Sequence, residues 1–179
     1  RKFEKTLAAD GIEYFGNVEL GKDISLEEMH ELYDAVVLSV GGGLDTPANI
    51  PGEDKIGVFG SAAFVSWYNG HPDFADIKPD LNVTNAAVIG NGNVAIDVAR
   101  LLMRSPEELT QFDLPDYARD AINESSLKNI TMYGRRGPVD AKFTNVELRE
   151  LGHLEECMPV VDPKQLPDDV GEIEDAREL

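Results

Sequence analysis

Hydrophobic and polar positions change period several times along the chain, and each change predicts an element. Phe3 to Ala9 reads as the end of a helix, and Gly11 resets the chain before Ile12-Glu13-Tyr14-Phe15-Gly16-Asn17-Val18, whose alternation and aromatic content predict a strand. Ser25 followed by Glu28 has capping-box spacing, and Leu26, Met29, His30 and Tyr33 fall on one face, so Ser25 to Tyr33 is expected as a short amphipathic helix. Ala35-Val36-Val37-Leu38-Ser39-Val40 is continuously apolar, as a strand buried on both faces must be, and runs into Gly41-Gly42-Gly43, where backbone approaches something closely.

Pro47 and the turn Pro51-Gly52-Glu53-Asp54 break the pattern, and a second unit begins near Gly60. Ala62 to Tyr68 is apolar and expected as helix, while His71-Pro72-Asp73 and Lys78-Pro79-Asp80 punctuate a loop. Ala86-Ala87-Val88-Ile89 then reads as a short buried strand. It is followed by Gly90-Asn91-Gly92-Asn93-Val94-Ala95 and by a helix carrying Ile96, Val98, Ala99, Leu101, Leu102 and Met103. Ser105-Pro106-Glu107-Glu108 starts another helical turn, with serine as cap and proline at the first helical position, and Tyr117 to Asn123 is a further amphipathic stretch. Ile130-Thr131-Met132-Tyr133 reads as a second parallel strand ending in Gly134-Arg135-Arg136-Gly137-Pro138, after which Phe143 to Gly152 resumes helical spacing. Strands alternating with helices, without internal repeat, imply an α/β fold: a layered, Rossmann-like parallel sheet with flanking helices and right-handed crossovers.

Composition narrows the function. The 179 residues are 42% hydrophobic with mean hydropathy −0.27, and no apolar run approaches the roughly 20 residues that span a bilayer. Lys+Arg 16 against Asp+Glu 34 leave a net charge of −18, a field that repels phosphate backbones and makes nucleic acid an unexpected partner. The single Cys157 forms no internal disulfide and no four-ligand metal site, so it is expected as a packed thiol, and a reducing compartment fits: cytoplasm, or mitochondrial matrix in a eukaryote. No metal site is expected. The start at Arg1 without an initiator methionine reads as a piece of a longer chain, and the acidic stretch from Asp168 to Leu179 as a solvated helix or linker.

Chemistry concentrates in Gly90-x-Gly92-x-x-Ala95. The first glycine permits a tight turn out of the strand, the second removes a side chain that would block a pyrophosphate, and a small third residue packs helix on strand. Phosphates would sit on the free amides of Asn93 and Val94 at the helix N-terminus, where the macrodipole favours negative charge. The plainer alternative is a tight strand-to-helix turn. At the end of the second strand, where an acidic residue selects a ribose 2′-hydroxyl and arginine a 2′-phosphate, the chain offers Arg135 and Arg136. They lie farther past Gly90 than the usual spacing of about 20 residues, and the extra helical segment from Ser105 to Glu124 accounts for it. NADP is thereby favoured over NAD; the alternative is two surface arginines paired with the many carboxylates.

These residues resemble the adrenodoxin reductase type of ferredoxin-NADP reductase. The likeness rests on Val88 to Arg100, Gly134 to Pro138 and Phe143 to Glu150. It extends to Gly16 to Gly21, Ala35 to Gly42, Ile50-Pro51-Gly52-Glu53 and Phe64 to Gly70, so it covers about residues 3 to 163. The resemblance implies a flavoprotein with FAD and NADP on two Rossmann-like domains, the second inserted in the first, passing hydride from NADPH to flavin and single electrons to an iron-sulfur protein of the ferredoxin type. Residues 1–59 would be a remnant of the FAD domain and 60–179 most of the NADP domain, inactive alone.

Position by position, the resemblance implies that Gly90, Asn91, Gly92, Asn93 and Val94 form the pyrophosphate turn and that Arg135 with Arg136 clamps the 2′-phosphate. It puts Glu147 at the adenosine end and Glu150 near flavin and nicotinamide as a catalytic, proton-handling acid. The backbone of Val18 would meet the FAD adenine, the plainer expectation for Val18 being a core strand valine. None of His30, His71 and His153 inherits a catalytic role, Asp140 and Lys142 depart from the apolar or amide residues expected after the arginines, and Trp67 and Tyr68 are expected to pack. A basic docking patch for the iron-sulfur partner would draw on Arg100, Arg104, Lys142 and Arg149. Two alternatives stand beside this reading: a glutamate synthase small-subunit type of oxidoreductase, which the stretch Gly134 to Glu150 fits less well, and a nucleotide-binding module without redox chemistry.

Overall fold

The computed structural model describes residues 3–42 and 45–166. Gly43, the last of the three consecutive glycines, and the acidic stretch 168–179 lie outside them. By its contacts the chain divides into Arg1–Gly42 and Gly43–Leu179.

In the first unit, α1 (Glu4–Leu7) and α2 (Leu26–Leu32) form where helical spacing predicts them. The Ser25 hydroxyl accepts from the Glu28 amide at 3.1 Å and the Glu28 carboxylate accepts from the Ser25 amide at 2.8 Å, closing the capping box. Those bonds hold the Glu28 carboxyl below its ordinary pKa. The two strands expected at Ile12–Val18 and Ala35–Val40 do not form among the described residues. An extended segment becomes a strand only when a neighbour takes its backbone bonds, and neither segment is paired in a ladder. Their apolar side chains are accordingly open to solvent, Tyr14 at 78% and Val37 at 84%.

The second unit is a small α/β body. It contains α3 (Ser61–Tyr68), β1 (Asn85–Ile89), α4 (Asn93–Leu102), α5 (Pro106–Leu109), α6 (Asp116–Asn123), β2 (Asn129–Tyr133) and α7 (Asn145–Leu151). The strands pair in parallel from Asn85 opposite Asn129 to Ile89 opposite Tyr133, and α4 to α6 make the crossover that a parallel pair requires. A layered sheet reduces, among the described residues, to these two strands flanked by helices. Nor are they buried on both faces as β1 was expected to be: Val88 and Ile130 turn inward while Ile89 and Tyr133 are 65% and 55% exposed. Among the described residues the face of Ile89 and Tyr133 is left open.

Phe64, Trp67, Leu102, Leu109, Ala118 and Ile122 make the core, drawn from α3, α4, α5 and α6. Trp67 and Tyr68 do pack, as expected. Trp67 is 2% exposed, and burial, with the nearby Asp97 carboxylate adding to it, pushes the Tyr68 hydroxyl up to about 12. Gly60 precedes α3 because the space a side chain would need is filled by the Asp45 carboxylate, which accepts from the amides of Ala62 at 2.6 Å and Ala63 at 3.0 Å. Asp45 therefore caps the helix from outside it.

The turn into α5 repeats the capping box with its groups buried. Ser105 Oγ accepts from the Glu108 amide at 3.2 Å, Glu108 Oε2 accepts from the Ser105 amide at 2.9 Å, and Pro106 stands at the first helical position. Ser105→Ala is expected to destabilise the protein by about 1–2 kcal/mol, the upper range for a cap lost from a water-excluded site. Urea unfolding checks it; an unchanged midpoint would mean that the cap contributes nothing.

Candidate functional site

Gly90 and Gly92 are glycines for different reasons. Gly90 has φ +151°, its amide donates to the Tyr133 carbonyl at 2.9 Å, and a Cβ there would stand 3.4 Å from Ala95 Cβ. It serves the turn, and Ala95 is the small residue against which strand and helix close. Gly92 has φ −128°, a conformation any residue adopts, and a Cβ there would meet only Lys142 Cβ at 4.0 Å. No described residue requires a glycine at this position. Gly92 also brings no side chain to cap α4, so the first-turn amides of Asn93, Val94 and Ala95 are left without an intrahelical acceptor beside that open space.

The chain returns to this turn after β2. Gly134 lies against Asn91, whose Nδ2 would be 3.0 Å from a Cβ on the glycine. The Lys142 amide donates to the Asn91 carbonyl at 2.8 Å, Gly92 and Lys142 form an isolated parallel bridge, and the Thr144 amide donates to Asn93 Oδ1 at 2.8 Å. Arg135 and Arg136 thus stand on a loop whose two ends rest on the glycine turn. Both are exposed and, among the described residues, neither guanidinium has a hydrogen bond or ion pair. The plainer alternative, pairing with surface carboxylates, has no instance among the described residues. In a chain of net charge −18, two adjacent cations without a partner among the described residues fit a site for an external anion.

Helix α7 brings the two expected carboxylates to α4 in different states. Glu147 Oε2 is out of solvent with no hydrogen-bond partner, an orphan acceptor that a ligand hydroxyl would satisfy. Glu150 is ion-paired with Arg100, which also holds Asp97 at 2.8 Å, so this trio clamps α7 to α4.

Two members of the expected docking patch are accounted for inside the fold. The Arg100 side chain is 18% exposed and paired as above; that of Arg104 is 16% exposed, reaches Glu108 at 3.4 Å and lies 4.3 Å over the Phe112 ring. Burial lowers the Arg104 pKa while Glu108 opposes the shift. Only Lys142 and Arg149 of that set remain exposed and unpaired among the described residues. Arg100, Arg104, Glu150 and His153 border a cleft of about 380 Å³, but its cations are already matched by its carboxylates.

The other candidates resolve simply. His71 caps the 3-10 turn at Pro72–Phe74, its Nδ1 accepting from the Asp73 amide at 3.2 Å, and His30 is exposed on α2. Val18 lies in the first unit, 53% exposed and in no strand, so the core-valine expectation is corrected. Cys157 is half-buried. Among the described residues no three metal-ligating side chains gather, and no helix is long and apolar enough to cross a membrane. Sequence reasoning missed the clasp from Asn91 and Asn93 to the returning loop; its only sequence signal was two amide side chains flanking Gly92.

No family model matches the chain. It is 44% identical over 166 residues, 93% of its length, to NADPH-ferredoxin reductase FprA of Mycobacterium tuberculosis, and 42% identical over 161 residues to mitochondrial NADPH:adrenodoxin oxidoreductase of Bos taurus. The chain spans 36% and 33% of the length of these relatives. The structure of Mycobacterium tuberculosis FprA in complex with NADPH superimposes with a TM-score of 0.84 over 92% of this chain and 36% of that one.

Proposed function

We propose, from the homology of about nine-tenths of this chain to FprA and the adrenodoxin reductases, that it is the NADPH-binding portion of an FAD-dependent ferredoxin-type reductase. One observation carries the reading. Gly92 is a glycine that neither backbone conformation nor packing demands, and it opens the space in front of the free amides of α4.

The residues present fit an NADP phosphate framework. The amides of Asn93 and Val94 receive the pyrophosphate where the helix dipole is positive, and Arg135 and Arg136 offer paired donors to the 2′-phosphate. Glu147 Oε2 accepts from an adenosine-side hydroxyl, which removes the cost of its unpaired burial. Glu150 is the proposed proton-handling carboxyl near the nicotinamide, and Arg100 orients it from α4.

Flavin, when bound, accepts hydride and yields single electrons, and that chemistry belongs to the longer protein. In this reading residues 1–59 are part of an FAD domain and 60–179 most of a Rossmann-like NADP domain. The unpaired apolar segments of the first unit are then strands completed by chain beyond this one. Val18 is the single position here assigned to FAD, and one exposed valine does not make a flavin site. The iron-sulfur partner would meet a surface to which Lys142 and Arg149 contribute, a local basic exception in an acidic chain. Cytoplasm or mitochondrial matrix is the proposed compartment.

Gly92→Ala tests the reading. The added methyl fits the fold, so the thermal midpoint is expected to stay within about 2 °C of wild type, while NADPH affinity falls by roughly tenfold as backbone and pyrophosphate are forced apart. Calorimetric titration measures the affinity. Unchanged affinity in a folded variant would sink the proposal, because Gly92 would then have no ligand to make room for.

A further inference from the structure

We infer that Asn93 is a positioning residue for cofactor selectivity, its side chain stapling the arginine loop to the pyrophosphate turn; this rests on the NADPH reading above. The loop from Gly134 to Thr144 leaves the end of β2 and comes back to the start of α4. Within it the described residues make one short 3-10 turn, Pro138–Asp140, and neither Arg135 nor Arg136 bonds to a described residue. A loop with so few bonds of its own is placed by its feet.

The first foot is Gly134, seated against the Asn91 side chain, and the second is the pair of bonds from the Lys142 amide to the Asn91 carbonyl and from the Thr144 amide to Asn93 Oδ1. The Lys142 bond is made to backbone and survives a change of side chain. The Thr144 bond is not: it ties the far foot to a side chain on α4. Thr144 is also the N-cap of α7, so the same bond sets where that helix begins and where Glu147, one turn later, stands. The backbone amide of Asn93 is left free for the cofactor while its carboxamide oxygen is taken by the Thr144 amide, holding the residues that read the 2′-phosphate and the adenosine side. Selectivity for NADPH over NADH therefore depends on a side chain that does not touch the group being selected.

Three variants of the intact protein test this. Asn93→Ala is expected to speed amide hydrogen exchange at Thr144 by roughly five- to tenfold without nucleotide, and to shrink the ratio of NADPH to NADH affinity by a similar factor. Asn93→Asp keeps an acceptor: Thr144 should stay protected and the ratio hold, while both nucleotides bind more weakly by a like factor because a carboxylate now stands beside the pyrophosphate. Thr144→Pro, which has no N–H to donate, leaves the turn untouched and should reproduce the fall in the ratio. Unchanged exchange at Thr144 in Asn93→Ala, or faster exchange with an unchanged ratio, overturns the inference. Should wild type bind neither nucleotide while Thr144 still responds to Asn93→Ala, the staple exists but the NADPH reading fails and the selectivity claim falls with it.

Discussion

Replacing Arg135 and Arg136 together by alanine is expected to remove the preference for NADPH over NADH, a loss of about 1–3 kcal/mol or roughly 5- to 150-fold in relative affinity. The size follows from the state of the two side chains. Neither is bonded to a described residue, so neither must break an internal contact to meet a phosphate, and both can give paired donors to one group. For the same reason the double change should leave stability nearly untouched. NADH, which lacks the 2′-phosphate, should bind the variant about as well as it binds wild type. Parallel calorimetric titrations at two salt concentrations make the test, since an exposed clamp weakens as salt screens it. A preference for NADPH that survives the double substitution would assign the 2′-phosphate to other groups.

The second large effect concerns the fold. Trp67→Ala is expected to destabilise by about 3–5 kcal/mol, a large share of the roughly 5–15 kcal/mol that keeps a domain folded. Trp67 is 2% exposed, its ring lies 5.3 Å from that of Phe64 and 6.1 Å from that of Tyr117, and its carbonyl accepts from the Tyr117 hydroxyl at 2.9 Å. The substitution removes the indole from between α3 and α6 and leaves a cavity that the surrounding rings cannot fill by small shifts. Because Trp67 is the only tryptophan, urea unfolding should be followed by far-UV circular dichroism in both proteins. A loss under 1 kcal/mol would mean that the core is organised elsewhere.

The two effects separate fold from site, and the glycine turn shows why both are needed. Gly90 answers to the fold, through its φ of +151° and the nearness of Ala95, whereas no described residue demands a glycine at Gly92. The spacing Gly90-x-Gly92-x-x-Ala95 already suggested that division of labour, but a tight turn with two incidental glycines has the same letters. Only the backbone angle and the open space at Gly92 distinguish them.

Much of the fold was legible because it is local. Both capping boxes, at Ser25 with Glu28 and Ser105 with Glu108, form where the spacing of serine and glutamate calls for them. The periods of β1, α4, β2 and α7 likewise mark those elements within a residue or two. The strands expected at Ile12–Val18 and Ala35–Val40 failed for a non-local reason: the pattern reports what a segment is suited to, while a strand exists only beside another. Burial was misjudged similarly. Val88-Ile89 is apolar throughout, yet Ile89 is 65% exposed, since no layer among the described residues covers that face.

The candidate site divides along the same line. Residue types and order alone determined the glycine turn, its helix and the adjacent arginines, because anion binding at a helix start needs chemistry that a few consecutive residues supply. Tertiary structure decided which cations are engaged among the described residues: Arg100 and Arg104 are spent on Glu150, Asp97 and Glu108, while Arg135 and Arg136 have no partner there. It also joined Asn93 to Thr144, 51 positions away. Bonds across three or four residues follow from helical geometry and can be read from spacing. Bonds across fifty depend on where the chain returns, which is set by packing the whole core and is written in no single stretch of it.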